Sequence, residues 1–172
     1  MLSCTSKHNE YVYGGKIMDK VFEQLQFFRG FTLNNLQKLK KEHADIQPAG
    51  FSNTLRWNYA HILTAYDGLM FQLSGKGSKL DPRFFEFFGG GTKPSEWKTE
   101  APSLEEIAVE LEKQGKLIVE TFQNSLDEKL VHSKEIAGIK LETVRDALTF
   151  CLWHEGLHQG VINSLTRVVT TI

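Results

Sequence analysis

Apolar positions recur with a helical period along most of this chain. Met18, Val21, Phe22, Leu25, Phe28, Leu33, Leu36 and Leu39 fall largely three or four residues apart, which predicts an amphipathic helix ending near Lys41. Pro48, Ala49 and Gly50 then mark a connection. A second helix is predicted from an N-cap at Ser52 or Asn53, through Leu55, Ile62 and Leu69, to about Leu73. Ser103-Leu104-Glu105-Glu106 carries the capping-box signature, in which the Ser hydroxyl and the Glu three residues on satisfy each other's backbone N–H groups. From it Ile107, Leu111, Ile118 and Phe122 keep helical spacing to about Ser125. Thr143 with Asp146 repeats the signal and opens a fourth helix to about Val168.

Between these runs the pattern breaks. Residues 1–15 form a polar leader ending in Gly14 and Gly15, so the domain is expected over 16–172. Residues 74–102 combine Gly75, Gly77, Pro82, three glycines at 89–91, Pro94 and Pro102 with Phe84, Phe85, Phe87, Phe88 and Trp97. So many breakers predict a long crossover, with a helical turn near 82–88 and aromatics packed on the body. The polar stretch 127–142 is either irregular or a short hairpin around Ile136 and Ile139. Four helices with one long crossover between the second and third predict an all-α four-helix bundle, its third helix returning parallel to its second.

Composition narrows the function classes. The 172 residues are 41% apolar and 24% charged, with a formal net charge of −1, which fits a soluble globular domain. So balanced a charge gives no bulk attraction to nucleic acid or to an anionic membrane. No apolar run reaches the roughly 18–20 residues that span a bilayer. No apolar core of a signal peptide occupies the first twenty positions, so the cytoplasm is the expected compartment. Cys4 and Cys151 do not make a disulfide framework, and Cys151 lies within an apolar helix.

Chemistry concentrates in the last helix. His154 and His158 stand at i and i+4, roughly 40° apart around the axis, a spacing at which two imidazoles can share one ion. Val144, Ala147, Cys151, Ile162 and Leu165 share that side, so both rings are expected to point along the apolar stripe. Glu155, about 100° from His154, falls near its edge, where it is either a base, a hydrogen-bonding neighbour of the ligands or a solvated flank. Read literally, His154-Glu155-Gly156-Leu157-His158 matches the H-E-x-x-H peptidase motif. Residues 159–172 exclude that function, because they contain no His, Asp, Glu or Cys to serve as the third ligand.

A third ligand must therefore come from upstream. His8, His43 and His132 lie in the leader, at a charged helix end and in a charged loop. His61 lies mid-helix beside Thr54, Asn58, Ala65 and Gly68, small or polar residues that leave room for a site or for a hydrogen bond to Asn58 or Thr54. Trp57, Asn58 and Tyr66 are candidate pocket residues on the same helix, and Cys151 is either near the site or small core filling.

Taken together, a histidine in the second helix preceded by a Trp, a Gly-rich crossover, a Ser-Leu-Glu-Glu helix start and a final His-Glu-x-x-His-x-Gly-x-Ile resemble the DinB-like metalloproteins of the DinB/YfiT superfamily. These features stand here as His61, the glycines at 89–91, Ser103 to Glu106, and His154, Glu155, His158, Gly160 and Ile162. Gln159-Gly160-Val161 replaces the Arg-Gly-Gln of many members and leaves the histidines untouched. The resemblance implies an up-down-down-up bundle, a three-histidine site for zinc or nickel formed by His61, His154 and His158, and often a homodimer. It further implies a metal-dependent thiol S-transferase of the bacillithiol or glutathione type, acting on a small electrophile through a metal-bound thiolate. The alternatives are a hydrolase using metal-bound hydroxide, with Glu155 as its base, and a non-enzymatic metal-binding bundle of stress response.

Overall fold

The computed structural model describes residues 12–13 and 16–171. Most of the predicted leader, with Cys4 and His8, lies outside the described residues. The chain is mostly helical, with five α-helices: α1 (Lys20–Lys38), α2 (Leu55–Tyr66), α3 (Pro82–Phe88), α4 (Leu104–Phe122) and α5 (Val144–Val169). It is not all-α. Strands β1 (Val12–Tyr13) and β2 (Lys16–Ile17) form a short antiparallel pair, and β3 (Lys129–Ile136) and β4 (Ile139–Thr143) form a longer one.

The second hairpin turns at Ala137 and Gly138, both at positive φ (51° and 82°), as a two-residue turn between right-twisted strands requires. Its inward residues Leu130 and Leu141 are buried. Near the start of β3 Val131 approaches Gly75, whose positive φ (74°) and missing Cβ leave room for the valine methyl.

Local chemistry sets the helix ends. Ser103 and Glu106 exchange both capping-box bonds (3.2 and 2.8 Å), and Thr143 and Asp146 do the same (3.1 and 2.9 Å). The cap of α2 is Thr54 rather than Ser52 or Asn53, because the Thr54 hydroxyl accepts from Trp57 N (3.3 Å). Beyond Tyr66 the helix widens into a π-helical turn, Asp67–Gln72. Asp67 at its start is fully buried and accepts from Lys79 N (2.8 Å), which ties the crossover to it. Within the crossover, α3 starts with Asp81 as cap and Pro82 in the first turn, and buries Phe84, Phe87 and Phe88.

Both α1 and α2 pack against α4 and α5. Phe22, Leu25, Ile62, Ile107, Leu111, Ile118 and Leu165 are essentially inaccessible between them. Each such side chain stabilises the fold by about 1.5–3 kcal/mol relative to exposure. None of the described helices is long and apolar enough to cross a membrane.

Candidate metal centre

Three imidazoles meet between α2 and α5. His61, His154 and His158 each offer a nitrogen, and the three nitrogens lie within 4.8 Å of one another. Ring centroids are 5.2 Å apart for His61 and His154, 5.0 Å for His61 and His158, and 4.5 Å for the i, i+4 pair. Among the described residues no carboxylate or thiol joins this cluster.

The tautomers follow from the neighbours. Nδ1 of His61 lies 2.8 Å from Phe88 O, a carbonyl in the last turn of α3 that has no helical partner. A carbonyl only accepts, so Nδ1 carries the proton and Nε2 keeps its lone pair. Nδ1 of His158 lies 2.8 Å from Asn58 Oδ1. The orientation of that amide is fixed by its other end, since Asn58 Nδ2 donates to Thr54 O (2.8 Å). His158 thus also donates from Nδ1 and leaves Nε2 free. Nδ1 of His154 is buried with no hydrogen-bond partner. An unpartnered buried ring nitrogen is costly, and a ligand on it would remove that cost.

The protonation state suits the same role. Burial holds His61 below the ordinary histidine range, and the Phe88 carbonyl opposes it. Burial, with His61 beside it, lowers His154 to about 4, and burial, with both other rings, lowers His158 to about 3. All three are therefore neutral at pH 7, the form in which imidazole binds a metal ion. The donor set fits zinc or nickel, both of which accept imidazole nitrogen.

Aromatic rings and the crossover hold the cluster in place. Trp57 stacks on His61 (4.4 Å, 12° between planes), and its Nε1 donates to Thr92 Oγ1 (2.9 Å). Thr92 donates in turn to Phe87 O (2.8 Å). Phe150 lies nearly parallel to His154 at 6.5 Å. Of the candidate pocket residues, Trp57 and Asn58 touch the histidines directly. Asn58 serves His158 and not His61, which turns to α3 instead.

Tyr66 and Glu155 lie elsewhere. The Glu155 carboxylate has 0% exposure and accepts from Arg29 Nε (3.2 Å) and from the Thr32 hydroxyl (2.6 Å). Tyr66 lies under the Arg29 guanidinium (4.8 Å). Its hydroxyl is buried without a hydrogen bond of ordinary geometry, and burial, with the nearby Glu155 charge, raises its ionisation well above the usual range. Cys151 is free and fully buried, and burial raises its thiol well above the usual range.

Arg29 and Thr32 escape notice in the sequence, although a signal was present. Phe22, Leu25, Arg29, Thr32 and Leu36 are the buried positions that run down α1 at spacings of three and four. A polar pair set in such a stripe marks a buried polar contact.

The sequence profile of the DinB superfamily matches residues 24–162, and the chain belongs to that superfamily. Comparison with curated proteins gives no match.

Proposed function

We propose that this protein is a metal-dependent thiol S-transferase, with His61, His154 and His158 as the ligands of a zinc or nickel ion. The observation that carries it is a cluster of three neutral imidazoles without a fourth protein ligand among the described residues, the arrangement of catalytic rather than structural sites. A zinc or nickel ion held there would act as a Lewis acid that favours the deprotonated form of a thiol or water. The chain's own residues prepare the site: Phe88 O and Asn58 Oδ1 set the tautomers of His61 and His158, and Trp57 and Phe150 flank the rings. Cys151 is a poor candidate for the nucleophile because burial keeps its thiol protonated. The thiol therefore comes from outside, as a low-molecular-weight compound of the bacillithiol or glutathione type. A hydrolase with Glu155 as base has less support, since that carboxylate already accepts from Arg29 and Thr32.

We also infer the up-down-down-up bundle for the four long helices, supported by α1 and α2 each packing on both α4 and α5. A cytoplasmic homodimer belongs with this assignment. Trp153 (59% exposed) and Leu157 (51%), one turn apart on α5, supply apolar surface for self-association.

The test is metal analysis of wild type beside His61→Ala, His154→Ala and His158→Ala, followed by assay with a panel of small thiols and a generic electrophile. Wild type is expected to retain about one ion per chain and each variant to lose it while remaining folded. Metal-dependent turnover with one of the thiols supports the transferase. Absence of turnover with every thiol overturns it.

A further inference from the structure

The final helix carries two polar systems, and the histidine cluster uses only one. Glu155 follows His154 by one residue and precedes His158 by three, yet its carboxylate faces α1. There Arg29 presents a fork: Nε donates to Oε1 (3.2 Å) and Nη2 to Oε2 (3.5 Å). One turn further along α5, Gln159 Nε2 donates to the Thr32 hydroxyl (2.9 Å), which itself donates to Glu155 (2.6 Å). The guanidinium also reaches α4, where Nη1 donates to Leu111 O (2.7 Å) and Gln114 Oε1 accepts from it (3.4 Å). Gln114 Nε2 closes the path onto α2 by donating to Leu63 O (2.9 Å), two residues beyond His61.

Arg29, Thr32, Gln114, Glu155 and Gln159 are all at most 5% exposed. One buried network thus joins α1 and α4 to both helices that carry the histidines. Burial of an ion pair is a poor way to gain stability, because desolvation offsets most of the attraction. What it supplies is direction. Apolar contacts tolerate small rotations of a helix, whereas a fork on a carboxylate fixes rotation and axial position together. A rotation of α5 by one residue, about 100°, would carry both His154 and His158 away from His61.

We infer that Arg29 and Thr32 are positioning residues for the metal ligands: through Glu155 and Gln159 they hold α5 at the rotation and height where His154 and His158 meet His61. This rests on the proposed assignment of the three histidines as metal ligands.

Cobalt(II) titration tests it, since the ion's visible absorption reports ligand geometry independently of activity. Thr32→Val keeps shape and removes the hydroxyl that bridges Glu155 and Gln159. The Arg29→Met/Glu155→Leu double variant removes the pair without leaving a lone buried charge. Both are expected to unfold cooperatively, to bind cobalt roughly 10–100-fold more weakly than wild type, and to show altered absorption bands. Thr32→Ser, which keeps the hydroxyl, is expected to retain wild-type affinity and spectrum. Wild-type affinity and spectrum in folded Thr32→Val and in the double variant would overturn the positioning role. Failure of wild type itself to take up cobalt would instead overturn the metal assignment beneath it.

Discussion

Two adjacent faces of one helix, α5, meet the same problem in opposite ways. His154 and His158 are polar, only partly buried and uncharged, and they leave ring nitrogens free. Glu155 and Gln159, each one residue later, are buried at 0% and 4%, and are fully engaged. The first face keeps its capacity for bonding unspent, which suits binding. The second uses that capacity within the fold, which suits rigidity. A metal site needs both, because ligands that are free to bind are not thereby held in place.

Disrupting the engaged side is expected to cost most. Glu155→Leu alone leaves the Arg29 cation buried without its partner, and unfolding by urea is expected to show a loss of about 3–5 kcal/mol. The Arg29→Met/Glu155→Leu double variant should recover most of that loss. If the single and double variants were equally unstable, the pair would be contributing ordinary core packing and not a charge that needs its counterpart.

Acid probes the other face, with a smaller effect per residue. His154 and His158 titrate near 4 and 3 in the folded chain and near 6.5 when unfolded. Below about 6.5 the unfolded state therefore takes up protons that the folded state refuses. Their contribution to stability is fully present above that pH and is lost as the pH falls towards 3. Metal-free protein is expected to lose about 2 kcal/mol for each of these rings between pH 7 and pH 5. Urea midpoints at pH 7 and pH 5, compared with those of the His154→Ala/His158→Ala variant, measure it; the variant should show a smaller change.

How much of this was legible in the sequence depended on whether the signal was local. Ser103–Glu106 and Thr143–Asp146 cap their helices through residues three apart, so the sequence alone located both helix starts. The i, i+4 histidines were legible for the same reason. Their surroundings were read less well: Glu155 belongs to the centre of the buried stripe and the histidines to its margin. Placing the histidines on the apolar side had suggested the reverse, because Glu155 lies about 100° around the axis from His154, and its partner Arg29 is 126 residues away. The hairpin was half legible, since Ala137 precedes Gly138 where Asn or Asp would have marked the turn. Nothing in the sequence could show that His61 turns to Phe88 O, because a backbone carbonyl carries no residue-specific mark.

The smallest expected effect lies in the crossover. Thr92→Val removes the acceptor for Trp57 Nε1 and is expected to cost about 0.5–1.5 kcal/mol, measured by urea unfolding. It should weaken metal uptake less than Thr32→Val does, because Phe88 O still orients His61.

Trp57 lies flat on His61 at 4.4 Å, with its ring tilted only 12°. Any positive charge gained by that imidazole, from a proton or from an ion, arrives against the face of an indole, where the π electrons respond to it. Trp57 is therefore expected to serve as an intrinsic optical gauge: its ultraviolet emission, read above that of Trp97 and Trp153, should change when the neighbouring ring gains charge, without a dye, a label or a substrate.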